Sequence, residues 1–319
     1  MRILLTGSSG FIGQALLLEL RARRPELALV ALVRSAPQAP LPGVAYLSCP
    51  ALDDDAAWAA LPDEALDVVI HCAGLAHQPS DSPLAQRDAM QAVNVGLTQR
   101  LIDLALQRRA RRFVLLSSIA VNGQETAPGQ CYRASDAPAP LNAYGESKRD
   151  AELLLWRCSQ GTDMDGTVVR PPMVYGPGAP GNFDKLIRAL RRGLPLPLRS
   201  ATRNRRSFVS IDNLVDLLHT CIDLPAAAGQ TFLVSDGEDL STADLLRRLG
   251  RASGRPARLL PMPTALIQTA ATLLGRREIA QRLLGDLRIN IDHTVHTLDW
   301  TPPLSVDEGL RRAAAGLNS

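Results

Sequence analysis

The sequence predicts an α/β protein, a doubly wound parallel sheet with a smaller C-terminal cap. Three observations carry that prediction. Short β-rich runs alternate with helical patterns over residues 1–170, a glycine-rich turn joins the first run to the first helix, and proline and glycine crowd the chain after Pro171. The chain has 319 residues, 46% apolar and 21% charged, enough for a large core and too apolar for a disordered or collagen-like protein.

Residues 2–5 read as a strand and 11–23 as a helix with apolar residues at helical spacing. Residues 27–33, 44–47 and 67–70 read as the next three strands. Residues 85–107 have the pattern of one long amphipathic helix, 112–116 of a fifth strand, 143–158 of a helix and 166–169 of a sixth strand. Right-handed crossovers through those helices would bring every strand's C-terminal end to one edge, where open parallel sheets bind their ligands. Residues 1–170 are therefore expected to form a nucleotide-binding domain and 171–319 mainly the cap, with some segments returning to the first domain. Residues 230–234 are the one later β-run. Residues 259–274, apolar but interrupted by prolines, Gln268 and threonines, are expected to form an ordinary buried helix rather than a membrane contact.

Composition narrows the partners. A net charge of +3 gives no electrostatic case for nucleic acid or a membrane, and no run of 18 apolar residues predicts a spanning helix. The N-terminal run meets Gly7 and Ser8 too early for a secretory leader, so a cytoplasmic location is expected. Five cysteines without Cys-x-x-Cys spacing suit a reduced interior, and neither disulfides nor a metal site are expected.

The chemistry begins at Thr6-Gly7-Ser8-Ser9-Gly10-Phe11-Ile12-Gly13. Gly7 permits the tight turn, Gly10 lets backbone approach a pyrophosphate, and Gly13 lets the helix pack on the sheet. The N–H groups and dipole of the following helix favour phosphate, so the turn, with Ser9, Phe11 and Ile12, is the candidate dinucleotide cradle of a Rossmann domain. The second strand ends Val33-Arg34-Ser35, without the acidic residue that usually holds the ribose of NAD. Arg34 can pair with a 2′-phosphate or stack on adenine, which favours NADP(H) over NAD(H). His71, Ala73 and Gly74 end the fourth strand on the same edge as cofactor-binding candidates. The imidazoles of His71 and His77 read as structural, having no metal-like partners.

Of the 35 basic residues only Lys148 and Lys185 are lysines. Lys148 follows Tyr144 by four positions, which puts both on one helical face, after Ser118 at a strand end. An ammonium beside the phenol, reinforced by a positive nicotinamide, would lower the tyrosine pKa so that Tyr144 exchanges a proton while hydride moves. Lys148 can also hydrogen-bond the nicotinamide ribose, and Ser118 the reacting oxygen.

These motifs resemble the extended short-chain dehydrogenase/reductases of the nucleotide-sugar epimerase/dehydratase group. The resemblance extends through Arg170-Pro171-Pro172-x-Val174-Tyr175-Gly176-Pro177-Gly178 to Leu298-x-Trp300-x-Pro302, and so covers essentially the whole chain. It implies a cap holding a nucleoside-diphosphate sugar, with uridine the expected base. It places Pro171 and Val174 beside the nicotinamide, and Asn182, Phe183, Arg206 and Arg282 on the substrate, the arginines suiting its diphosphate. It also implies a homodimer built on the helices that begin near residues 85 and 143. The group's aspartate beside adenine has no clean match in residues 49–53. Dehydrating relatives carry an acidic pair directly after the catalytic Ser or Thr, where this chain has Ile119 and Ala120, so dehydration is disfavoured. Preferred is a 4-keto reductase of a UDP-(6-deoxy)-HexNAc-type sugar for surface polysaccharide. A 4-epimerase with tightly held NAD is the alternative. A cofactor-sensing regulator without catalysis is the third reading, and the presence of both Tyr144 and Lys148 speaks against it.

Overall fold

The structure, a computed structural model, describes residues 1–49, 54–76, 82–180 and 182–316, without the side chains of 182, 184 and 185. Strands β1 (Arg2–Thr6), β2 (Ala28–Val33), β3 (Val44–Ser48), β4 (Val68–His71), β5 (Arg112–Leu116) and β6 (Asp165–Arg170) are joined to β9 (Gln230–Leu233) in one seven-stranded sheet of order β3-β2-β1-β4-β5-β6-β9. Every pairing is parallel. The central strands are apolar on both faces because helices cover both. On one face, α1 (Phe11–Arg23) and α7 (Ile211–Asp223) bury Leu16, Leu20, Leu214 and Leu218 against Ile3, Leu5 and Ile70. On the other, α4 (Leu97–Gln107) and α5 (Ala143–Ser159) bury Leu101, Ala105, Ala151 and Leu155 against Leu4, Val69 and Phe113. A short α2 (Asp55–Ala59) lies between β3 and β4.

The strand order reverses between β1 and β4. Their connections leave in opposite directions and open a crevice at the C-terminal edge, the place where doubly wound sheets bind ligands. This Rossmann-like architecture is the one expected from the sequence, with two differences of detail. The long helix expected over 85–107 is α3 (Pro83–Gln91) and α4 joined by a π-helical turn, Ala92–Gly96. The π turn adds a residue without interrupting the apolar stripe, so periodicity alone does not reveal it. The late β-run also becomes the sheet's seventh strand, β9, paired with β6.

After β6 the chain builds the cap from β7 (Met173–Tyr175), β8 (Phe208–Ser210), α6 (Asn182–Arg191), α8 (Thr242–Ala252), α9 (Thr264–Leu273), α10 (Arg277–Leu284) and α12 (Val306–Ala315). Helix α11 (Asp292–Leu298) returns to β9 through the Thr294 hydroxyl, which donates to the Leu233 carbonyl at 2.6 Å. The cap core gathers Tyr175, Ile187, Leu190, Leu246 and Leu310. One expectation fails here: α9, the core of residues 259–274, buries none of its residues. Its composition is that of a core helix, but only its inner side meets the cap. No helix among the described residues is long and apolar enough to cross a membrane.

Candidate active site

The glycine turn is shaped by close approach. Gly7 has φ +75°, and a methyl group on it would sit 2.6 Å from the Ala73 nitrogen, so the turn presses on the chain leaving β4. A methyl on Gly13 would lie 2.2 Å from the Gly7 carbonyl oxygen, which is how α1 seats itself on the turn. Gly10 is the N-cap of α1, donates its N–H to Gly7 O at 2.9 Å, and has no side chain to occupy the first-turn N–H groups of Phe11 and Ile12. A cavity of about 370 Å³ opens over this turn, lined by Gly7, Ser9, Gly10, Ala73 and Gly74 and reaching Arg34, Cys49 and Trp58 at its far end. Arg34 is exposed on its rim. A cradle that side chains would fill, ending on a helix N-terminus, fits a dinucleotide pyrophosphate. Residues 50–53, the stretch without a clean match to the adenine-side aspartate, lie outside the described residues, as does His77.

His71 is fully buried and takes no place in the cavity. Thr98 donates to the Asn94 carbonyl at 2.6 Å, so its oxygen, 3.1 Å from Nε2, accepts the ring proton. Nδ1 then accepts from the Thr6 hydroxyl at 2.7 Å, and the Thr6 oxygen accepts the Ala73 N–H at 3.3 Å. Burial, reinforced by the charge of Lys148, pushes the His71 pKa down to about 3. The imidazole is a neutral strut between β1, β4 and α4. The expectation that His71 binds the cofactor is thereby corrected: it fixes the Ala73–Gly74 wall from behind.

The second part of the candidate site lies beside Gly74, where a methyl would stand 3.0 Å from Lys148 Nζ and 3.2 Å from Asn94 Oδ1. Ser118, two residues past the end of β5, caps the 3₁₀ turn Ile119–Val121, while Asn142 caps α5 by accepting the Gly145 N–H at 2.8 Å. Gly145 packs so closely on this turn that a methyl there would be 2.4 Å from the Ala120 carbonyl, which fixes the distance between strand end and helix start. Across that seam the Ser118 hydroxyl faces the Tyr144 phenol. That neighbour favours the phenolate, but burial outweighs it and raises the Tyr144 pKa above its ordinary 10. The sequence-based expectation that Lys148 lowers it is not met by the chain alone. The Lys148 ammonium, itself buried, donates to the Leu116 carbonyl at 3.0 Å and is pushed down to about 8 by desolvation, with Cys72 and Glu152 opposing.

Three residues to which the sequence assigns no role support this part of the site. Asn94, in the π turn, holds Leu75 at both ends, accepting its N–H at 2.7 Å and donating to its carbonyl at 3.0 Å, and donates to Ser147 Oγ at 2.8 Å. Glu152 and Arg170 form a buried fork, Nε to Oε1 at 2.9 Å and Nη2 to Oε2 at 2.5 Å. Ser117 donates to the same carboxylate, and Arg170 Nη1 donates to Asn122 at 3.0 Å. Glu152 follows Lys148 by one helical turn, a spacing that could have drawn notice; Asn94 carries no sequence signal. Pro171 accepts the Ile119 N–H at 2.9 Å, and Val174 is half-buried at the junction to the cap.

On the cap side, Arg206 Nη1 donates to the Gly285 carbonyl at 3.2 Å. Burial, then the positive charge of Arg282, lowers the Arg206 pKa to about 10, with Asp286 and Glu125 opposing. Arg282, whose charge reaches Arg206, is itself paired with Glu278 at 3.6 Å. Asn182 begins α6, and its side chain lies outside those described. Phe183 is corrected: its ring is buried in the cap core, 5.3 Å from that of Tyr175, and serves packing rather than substrate contact. The excursion between Ser118 and Tyr144 is sewn to the cap by Thr126 N–H to Asp286 O at 2.9 Å and Tyr132 N–H to Arg288 O at 2.8 Å, so both halves of the site share one wall. Among the described residues no group of three His, Cys, Asp or Glu is placed to hold a metal ion.

Residues 3–235 match the profile of the NAD dependent epimerase/dehydratase family. The chain belongs to that family. As an epimerase/dehydratase-family enzyme it is 40% identical to a UDP-glucose 4-epimerase of Vibrio cholerae over 98% of this chain and 94% of the relative. It is 29% identical to a dTDP-6-deoxy-L-talose 4-dehydrogenase (NAD(P)(+)) of Kitasatospora kifunensis over 97% and 93%. The fold of this family enzyme is that of the UDP-glucuronic acid 4-epimerase of Bacillus cereus solved with NAD, with a TM-score of 0.78 and 20% identity over 100% of this chain and 99% of the other.

Proposed function

We propose that the enzyme oxidises and re-reduces C4 of a UDP-linked hexose, completing a 4-epimerisation. The observation that carries the proposal is the Ser118 hydroxyl facing the buried Tyr144 phenol, with Lys148 one helical turn further along α5 and Ile119 and Ala120 unable to protonate a leaving hydroxyl. A nicotinamide dinucleotide, when bound in the glycine cradle, supplies the hydride acceptor and donor. Ser118 holds the C4 oxygen, and Tyr144 takes its proton on oxidation and returns it on reduction. Lys148, whose ammonium stands against the Gly74 wall of the cradle, is placed to hydrogen-bond the nicotinamide ribose. Arg206 and Arg282 hold the diphosphate, leaving the hexose free to present either face. Identity of 40% to a UDP-glucose 4-epimerase across nearly both chains favours epimerisation over the reductase preferred from sequence.

One observation favours the second reading, a 4-keto reductase of a UDP-(6-deoxy)-HexNAc that draws on NADPH. Arg34 stands on the cavity rim where an acidic residue would select NAD. Denaturing the purified protein discriminates: stoichiometric NAD together with interconversion of UDP-glucose and UDP-galactose supports the epimerase. Consumption of added NADPH by a 4-keto UDP-sugar supports the reductase. Tyr144→Phe is expected to lower turnover by roughly 10²–10⁴-fold with dinucleotide affinity intact, and an unchanged rate would remove the assignment. The outer sides of α3 and α5, where Leu84 and Leu153 are exposed, are our proposed contact of a cytoplasmic homodimer.

A further inference from the structure

Helix α9 presents an apolar outer side that the protein leaves uncovered. Thr264, Ile267 and Ala271 form its half-covered inner side, Ile267 against the cap core. The outer side carries Leu266, 58% exposed, Ala270 one turn on, and Leu273, 82% exposed, with Leu274 at 73% beyond it. Leu260 and Met262 on the extended approach and Ile279 on α10 enlarge the exposed set. Scattered exposed leucines are ordinary on a soluble protein, but a set this large on one short stretch marks an interaction surface.

Charge indicates the partner. Residues 245–277 contain seven arginines and no aspartate or glutamate, in a chain whose net charge is only +3. Arg247 and Arg248, at the start, pair with Asp244, Glu238 and Asp307. Arg258 before α9 and Arg276 and Arg277 after it are exposed on its two flanks. An apolar helix face between basic flanks, ten residues long and too short to span, suits a helix lying in the headgroup plane of a bilayer. A second copy docked on this face by a two-fold axis would set arginine rim against arginine rim, with Glu278 beside them already paired to Arg282.

We propose that α9 and its arginine flanks rest on an anionic lipid bilayer and make the enzyme a peripheral membrane protein. The sequence-based expectation of no membrane partner rests on a small net charge, on the absence of a long apolar run and on burial of this helix, and the structure removes the last ground. The full-length protein is to be sedimented with vesicles of phosphatidylcholine alone and with one third phosphatidylglycerol, at low and rising salt. Sedimentation is expected with the anionic vesicles only, and less of it as salt rises. Arg276→Gln with Arg277→Gln is expected to lower the partition coefficient by roughly tenfold or more. Leu266→Glu with Leu273→Glu is expected to abolish it while circular dichroism and dinucleotide affinity stay at wild type, since both side chains already face water. Wild-type protein that stays in the supernatant with anionic vesicles overturns the proposal. So does a leucine double variant that binds as wild type, or a wild-type dimer that this variant dissolves, which would make a second copy the occupant.

Discussion

Replacing Glu152 by leucine tests whether the buried fork beneath the catalytic face holds it together. Glu152 and Arg170 are both almost fully buried, 2% and 4% exposed. The substitution removes two charge-assisted hydrogen bonds from Arg170 and the acceptor of Ser117, leaving the guanidinium with Asn122. Breaking a buried pair by removing one partner costs about 3–5 kcal/mol, because the remaining charge is stranded in a low-dielectric interior. At roughly 2 °C per kcal/mol for a chain of this length, the thermal midpoint is expected to fall by roughly 6–10 °C. The double variant Glu152→Leu with Arg170→Met removes both charges, and an apolar pair of similar volume is often neutral, so it is expected to regain more than half of the loss. Urea unfolding followed by circular dichroism on the wild type, both single variants and the double variant gives the coupling directly. Single and double variants equally destabilised, or a single-variant loss below about 1 kcal/mol, would refute the reasoning from stranded charge.

Three further outcomes are expected. Gly13→Ala forces a methyl against the Gly7 carbonyl, an overpacking of about 1–3 kcal/mol or roughly ten- to hundredfold in dinucleotide Kd, to be read by calorimetric titration. His71 has a folded pKa of about 3, below its unfolded 6.5, so its contribution to stability is complete above pH 6.5 and is lost as pH falls towards 3. That loss amounts to about 2 kcal/mol at pH 5, and a His71→Gln variant compared at pH 7 and 5 in urea is expected to lack it. Leu153→Glu, on the exposed side of α5, is expected to convert a dimer to a monomer in sedimentation velocity, whereas a dimer that persists removes that face as the contact.

The Rossmann half was legible because its signals are local. A strand buried on both faces is a short apolar run, and a helix between two such runs has little freedom of placement, so β1, α1 and β5 fall within a residue of their sequence-based limits. The glycine turn was legible because each glycine answers a specific steric demand. What stayed hidden depends on contacts between distant segments. Nothing near residue 230 announces β6 as a partner, and nothing in an apolar stretch such as 259–274 says whether a neighbour will cover it. Phe183 was misassigned because an aromatic beside a motif asparagine looks alike whether it lines a pocket or fills a core. Glu152 and Arg170, eighteen residues apart, become a pair only once β6 lies beside β5. Charge alone points to a lowered Tyr144 pKa, and burial, which the sequence does not display, has the larger say in the folded chain.

The π turn at Ala92–Gly96 makes one segment sensitive to length in a way its neighbours are not. Deleting any one of its five residues would let α3 and α4 fuse into a regular helix. The helical segments on its two sides would keep their faces, because the wide turn is what absorbs the extra residue, and what is lost is the local bulge that carries Asn94. Asn94 would swing away from Leu75 and Ser147 although no residue type had changed. Across variants of this protein, insertions and deletions should be excluded from this stretch far more strictly than substitutions, and a catalogue of tolerated changes sorted by kind would show that asymmetry.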